Sequence, residues 1–313
     1  MNLDSLIIAV FCLIDDELQQ GLNARSLRRR GPLPLLSDSE VLTLEVVGEY
    51  LGLDCDAAIF NYFRRHFAHF FPALASVHRT TFARQAANLW RVKEVVWQQL
   101  LDQSGADPRW ALVDSFPVAV CRFARAPRRR TYLAEAGFGR DHSLKAMFCG
   151  FRLHVRVSWP GVITRLSVCR ASVSDLAVLE ELTDKTAGCC LGDRNYWKPE
   201  LHAELLERGV EMIVPFRKAS RDPWPRRSQA ISRIRYRIET VFSQLAERFR
   251  VKRVWARDMW HFSSRLLRKV LAHTIAIVLN RAHGTEPLRQ WLIVGQSRSD
   301  HITLWAQPLC VSD

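Results

Sequence analysis

Apolar residues recur every three to four positions through roughly the first hundred residues, then at every second position, and then every three to four again. Residues 1 to about 105 are therefore predicted to be helical, with one clear break at Arg28-Arg29-Arg30-Gly31-Pro32-Leu33-Pro34. Ser37-Asp38-Ser39-Glu40 forms a capping box, in which the Ser37 side chain and the Glu40 carboxylate each satisfy the other's free backbone N–H. A helix follows with Val41, Leu44, Val47 and Leu51 on one face. Phe60, Phe63, Phe67 and Phe70 recur at helical spacing and are read as core.

At Asp107-Pro108 the period shortens. Trp110 to Val113 is a short apolar strand ending at Asp114, and the arginine-rich stretch from Arg122 to Gly139 is expected to be an exposed loop. Gly150 to Ser158 alternates cleanly, turns at Trp159-Pro160-Gly161, and returns through Val162 to Cys169 as a hairpin. Asp175 to Leu182 reads as helix, Cys189 to Gly192 as a buried strand, Pro199 to Arg208 as helix and Glu211 to Phe216 as strand. After a basic, proline-broken linker at 217–228, helices are predicted from about Gln229 to Arg250 and from about Phe262 to Arg281.

The formal charge of +13, from 45 Lys and Arg against 32 Asp and Glu, calls for a polyanionic partner, with nucleic acid first. Most of that charge is arginine, whose planar fork of donors grips phosphate. Basic positions on the early helices, Arg64, Arg65, His66, His78, Arg79 and Arg84, suggest a helix-turn-helix-like module. DNA affinity is expected to weaken steeply with salt, log K falling by about 0.9 per neutralised phosphate for each decade.

Eight cysteines lie at 12, 55, 121, 149, 169, 189, 190 and 310, with no Cys-x-x-Cys pair, which excludes a structural zinc site and fits free thiols in a reducing compartment. The apolar run Leu6 to Ile14 lacks the basic start and cleavage site of a signal peptide. No run reaches the roughly 18 uncharged apolar residues that span a bilayer, so a cytoplasmic chain with no membrane partner is expected.

Three carboxylates carry the chemistry. Asp114 and Asp193 each end an apolar strand, and Glu239 lies on the long helix. Three antiparallel strands followed by two that alternate with helices describe a ribonuclease H-like α/β fold, a mixed five-stranded sheet flanked by helices and preceded by an all-helical N-terminal domain. There the first and fourth strands run side by side, so Asp114 and Asp193 meet and the helix brings in Glu239. Clustered carboxylates stay ionised only if cations neutralise them, and two Mg²⁺ or Mn²⁺ ions would also clamp both oxygens of an in-line phosphoryl displacement.

Val113-Asp114-Ser115-Phe116-Pro117-Val118, Leu191-Gly192-Asp193-Arg194-Asn195-Tyr196 and Arg235-x-x-x-Glu239-Thr-x-Phe-Ser-x-Leu, in that order, resemble the three catalytic segments of a DDE transposase of the bacterial insertion-sequence type. Phe151-Arg152-Leu153-His154 resembles the family's second-strand segment. The spacings, 79 residues between Asp114 and Asp193 and 46 between Asp193 and Glu239, leave no room for a large insertion before the glutamate. Two positions depart from the family. Asn195 stands where a glycine is common, tolerable in a turn with positive φ. Ala246 stands where a basic residue is frequent.

The resemblance implies a division into a helical, DNA-binding segment (1–105), a catalytic domain (106–283) and a C-terminal tail (284–313). It implies Asp114, Asp193 and Glu239 as catalytic metal ligands. Arg235, one turn before Glu239, is expected to orient a carboxylate or hold a phosphate, with His154 and Tyr196 in support. Arg128, Arg129, Arg130, Arg217, Lys218, Arg226 and Arg227 are expected to grip DNA. The implied activity is binding of terminal inverted repeats, metal-dependent cleavage and transfer of a strand to target DNA, by a homodimer in the bacterial cytosol, associated with the nucleoid. A nuclease of the same fold without strand joining and a decayed DNA-binding relic are the alternatives.

Overall fold

The computed structural model describes residues 1–21, 33–141, 144–216, 218, 222–224 and 226–289. The basic cluster at 28–30, Arg217 and the tail beyond 289 lie outside the described residues.

Five helices open the chain: α1 (Leu3–Gly21), α2 (Asp38–Tyr50), α3 (Asp56–His66), α4 (Arg79–Asn88) and α5 (Trp90–Ser104). The capping box at α2 is formed, with the Glu40 N–H donating to Ser37 Oγ at 3.1 Å and the Ser37 N–H to Glu40 Oε2 at 2.6 Å. Phe60 and Phe63 on α3 are fully buried and Phe67, just past its end, nearly so, but the helix stops at His66 and Phe70, in the turn beyond, is only half-buried. Arg64, Arg65, His66, His78, Arg79 and Arg84 are all exposed.

The sheet follows. Its strands are β1 (Asp107–Arg122), β2 (Gly137–Asp141), β3 (Ala146–Trp159), β4 (Val162–Arg170), β5 (Gly188–Leu191) and β6 (Val210–Ile213). β1 pairs antiparallel with β3, which carries β4 and β2 on its far side; β5 runs parallel to β1, and β6 parallel to β5. This is the ribonuclease H-like order, with the short β2 as a sixth strand added at the edge.

Two sequence expectations change here. β1 does not end at Asp114 but runs on to Arg122, and much of the expected arginine-rich loop is structured, as a 3₁₀ segment at Phe123–Arg128 and then β2. The extension runs through Pro117. Beyond Leu112 β5 no longer flanks β1, so a residue without an N–H sits where β3 is the partner and the other edge needs no ladder bond.

Helices α6 (Asp175–Thr183) and α7 (Pro199–Glu207) cover one face of the sheet, packing Val178, Leu179, Leu182, Leu201 and Leu205 on Ala111 and Val113. Leu112, Phe116 and Val118, the alternate β1 positions, face the larger core built with the other helices. That side carries α8 (Arg227–Ser243), whose axis continues as one π-helical turn over Gln244–Arg248, where the Phe249 N–H reaches the Gln244 carbonyl at 3.1 Å. The long helix predicted to Arg250 thus changes pitch near its end, as helices often do beside functional sites.

The last described helix, α9 (Met259–Ala282), packs against α5, α2 and α4. Its contact with the N-terminal helices is ionic as well as apolar. Arg268 is wholly buried; its Nε donates to Glu49 Oε1 at 2.5 Å and its Nη1 to Asp56 Oδ1 at 2.8 Å. Lys269 Nζ donates to Glu49 Oε2 and Lys93 Nζ to Glu45 Oε1, each at 2.8 Å. Lys93 Nζ also reaches Ala86 O and Ser264 Oγ, which uses all three ammonium protons. Burial alone raises the Asp56 carboxyl, yet Arg268 and Arg265 hold it down at about 2. Trp97 Nε1 of α5 donates to the Ile163 carbonyl of β4, joining the helical layer to the sheet.

Candidate active site

Alternation along β1 decides what each side chain meets. Asp114 shares the phase of Leu112 and Phe116 and points toward α8; Ser115 is turned the other way, toward α6. Asp114 Oδ2 accepts from Arg235 Nη2 of α8 at 2.8 Å, and Oδ1 accepts from the Ser115 N–H at 2.8 Å.

Asp193 follows β5 directly and caps the 3₁₀ turn Arg194–Tyr196. Its Oδ1 accepts from the Asn195 N–H at 2.8 Å and its Oδ2 from Asn195 Nδ2 at 3.1 Å. Asn195 is not among the non-glycine residues with positive φ, so the reason expected for tolerating it does not apply; its side-chain donor is what the site uses.

The parallel pairing of β1 with β5, Leu112 opposite Leu191, puts Asp114 two residues beyond the last paired position of β1 and Asp193 two residues beyond that of β5. Burial raises both carboxyls above their usual range, outweighing Arg235, and the Asp193 charge adds to the rise at Asp114. The pair is short of positive charge. Oxygen-only donors with a cation deficit fit a hard divalent ion.

Glu239 lies one turn beyond Arg235 on α8 with its side chain in solvent. Among the described residues no three His, Cys, Asp or Glu side chains stand close enough together to hold a metal ion, so Asp114, Asp193 and Glu239 do not form such a group.

His154, read as a residue in the polar phase of its strand, is fully buried opposite Ser115 on β3, with Nδ1 3.4 Å from Asp175 Oδ1. Burial lowers its pKa to about 4 despite the pull of Asp175, so the ring is neutral near pH 7. Tyr196 is also fully buried, its ring against Gly192, where an added Cβ would meet Cδ2 at 2.9 Å. It supports the Asp193 loop from inside. Burial, then the charges of Asp175, Asp114 and Asp193, keep its hydroxyl protonated.

The basic residues divide. Arg128, Arg130, Lys218 and Arg226 are exposed. Arg129 is turned inward, onto Cys149 Sγ and the Leu133 carbonyl, and Arg227 pairs with Asp222 at 3.2 Å beneath the rings of Phe216 and Trp224. These two are committed to the fold, which the run of arginines did not reveal.

Sequence reasoning missed the cleft itself, an opening of about 400 Å³ in which Asp114 shares the wall with Arg140, Arg152, Lys252, Phe242 and Glu247. Ala246, the position where the resembled family often has a basic residue, also lines it. Lys252, six positions further along, supplies a cation on the same wall. Asp175 was missed as well; nothing in its local sequence marks it beyond a helix start after Ser174.

A ribonuclease H-like sheet with an aspartate just beyond the paired positions of each of two adjacent parallel strands defines a class of fold and site. Residues 105–259 match the family model described as a transposase DDE domain. The chain belongs to this family and is a DDE-type transposase. No curated protein and no solved structure matches it. Among the described residues no helix is long and apolar enough to cross a membrane.

Proposed function

We propose that the protein binds the terminal inverted repeats of a mobile element, cleaves a strand there and joins the freed 3′ end to target DNA, acting as a homodimer in the bacterial cytosol. The observation that carries this reading is the placement of Asp114 and Asp193 at matching positions just beyond the β1–β5 pairing, with Arg235 on Asp114.

Asp114 and Asp193 would hold divalent cations, Mg²⁺ or Mn²⁺, with Glu239 joining the set in the DNA-bound state. Bound there, such ions supply charge stabilisation for in-line displacement at phosphorus and lower the pKa of the attacking hydroxyl. Arg235 neutralises Asp114 in their absence and sits where it can turn to a phosphate oxygen. Arg140, Arg152 and Lys252 give the cleft wall its positive charge and orient the scissile strand through its phosphates. Phe242, packed on Phe116 at 4.8 Å between ring centroids, closes the apolar floor and limits water. Arg128, Arg130, Lys218 and Arg226, together with the exposed basic positions of α3 and α4, would hold the flanking duplex.

The test is cleavage and joining of a labelled duplex carrying the gene's own flanking repeats, with Mg²⁺ or Mn²⁺. Asp193→Asn is expected to abolish both products while leaving duplex affinity within about twofold, because it removes one charge from a site where phosphate contacts carry the binding. Full cleavage by that variant refutes the assignment.

A further inference from the structure

Asp175 belongs to no motif, yet it is the most connected side chain at the site. It opens α6 with its carboxylate buried, 8 % exposed. Oδ1 accepts from Ser115 Oγ at 2.6 Å, and lies 3.4 Å from His154 Nδ1 and 3.8 Å from Arg152 Nη1. Oδ2 accepts from Asn195 Nδ2 at 3.3 Å. Beside Arg235, Ser115 and Asn195 are the residues that donate to these aspartates, through the Ser115 N–H to Asp114 and through both Asn195 donors to Asp193. One buried carboxylate therefore holds, with one oxygen each, a donor to each of the two aspartates. It does so from the α6 face, opposite the side from which Arg235 approaches.

We propose that Asp175 is the positioning residue of the DDE site: by clamping Ser115 and Asn195 it fixes the spacing and orientation of Asp114 and Asp193, and so sets their affinity for the divalent cation. This rests on the metal-site reading of the two aspartates. A simpler role, a carboxylate in the first turn of α6, would stabilise that helix through its dipole and leave metal affinity alone. The clamp acts on the ligands. Partners of this kind, one bond removed from a metal, commonly change affinity 10- to 100-fold when substituted.

The experiment is Mn²⁺ titration of the full-length protein by calorimetry, with melting temperature measured in parallel. Asp175→Asn keeps the volume but replaces one acceptor oxygen with a donor. It is expected to weaken Mn²⁺ binding about 10- to 100-fold, with a small change in melting temperature. Ser115→Ala and Asn195→Ala should each weaken it less, and each should add little on top of Asp175→Asn, since residues in one network are not additive. Wild-type Mn²⁺ affinity in Asp175→Asn, or losses that multiply fully in the combined variants, overturns the proposal. If Asp175→Asn does not fold, the Ser115→Ala/Asn195→Ala double variant takes its place, and unchanged Mn²⁺ affinity there overturns the clamp equally. Asp193→Asn, run alongside, separates the two levels. Unchanged Mn²⁺ affinity in both Asp193→Asn and Asp175→Asn removes the metal-site reading and the clamp with it, whereas a loss only in Asp193→Asn removes the clamp alone.

Discussion

Arg268→Met tests whether the ion network between α9 and the first helices is as dry as it looks. The guanidinium has no exposed surface and donates to Glu49, Asp56 and, at 3.4 Å, Glu45, as well as to the Asp54 carbonyl at 3.2 Å. Against burial, those carboxylates hold its proton more tightly than usual. Methionine fills similar space but leaves the acids with Lys93, Lys269 and Arg265 only. Removing one partner of a buried pair costs about 3 to 5 kcal/mol, much of it the uncompensated charge left behind. At about 2 °C per kcal/mol for a chain of this size, the melting temperature should fall by about 6 to 10 °C. Differential scanning fluorimetry with urea denaturation reads both quantities. Arg109→Ala, which breaks a pair whose guanidinium is 77 % exposed, is the control and should leave the melting temperature unmoved. A loss under about 1 kcal/mol in Arg268→Met would refute the reasoning, because buried pairs of this kind lose far more when broken.

Two further outcomes follow from burial. His273 is fully buried on α9, and burial lowers its pKa from 6.5 to about 4, so the fold disfavours the protonated ring that the unfolded chain accepts. Stability should be complete above about pH 6.5 and fall as pH drops toward 4, by at most about 3 kcal/mol from this group, with His154 adding in the same direction. Urea midpoints at pH 7.5, 5.5 and 4.5 check this, and a flat series contradicts it. Gly150→Ala would set a Cβ 2.3 Å from the Val118 carbonyl oxygen of β1, a backbone atom that cannot rotate away. The expected loss is about 1 to 3 kcal/mol by urea denaturation, a typical overpacking cost, and a neutral substitution would mean that β1 and β3 are free to part there.

The candidate segments were legible because each is local. An apolar run leading into aspartate, repeated at Asp114 and Asp193, and a helix carrying Arg235 and Glu239 one turn apart survive in the sequence as short motifs. The strand order, the hairpin at Pro160 and the α2 cap were legible for the same reason. What was hidden is long-range. Asp175 reaches Ser115 across 60 positions and Asn195 across 20, and it reads only as a helix start. Arg129 and Arg227 look like their exposed neighbours, and only the fold shows them turned inward. β1 was read too short because its apolar run stops at Val113, whereas the rest of the strand is held by β3, a partner some forty residues away in sequence. The helical layer was assigned to the first 105 residues alone, since no periodicity shows that α9 supplies the cations for Glu45, Glu49 and Asp56.

That last arrangement bears on the order of synthesis. Glu45, Glu49 and Asp56 leave the ribosome more than two hundred residues before Arg268 and Lys269, and the whole catalytic sheet is made in between. Lys93 of α5 can already serve Glu45, but until α9 emerges the first helices can close only by burying Glu49 and Asp56 without their cations, so their final packing must wait for α9. A chain truncated before residue 259 would then keep its first helices but lack the cations for Glu49 and Asp56, and those helices would not hold their packed form alone.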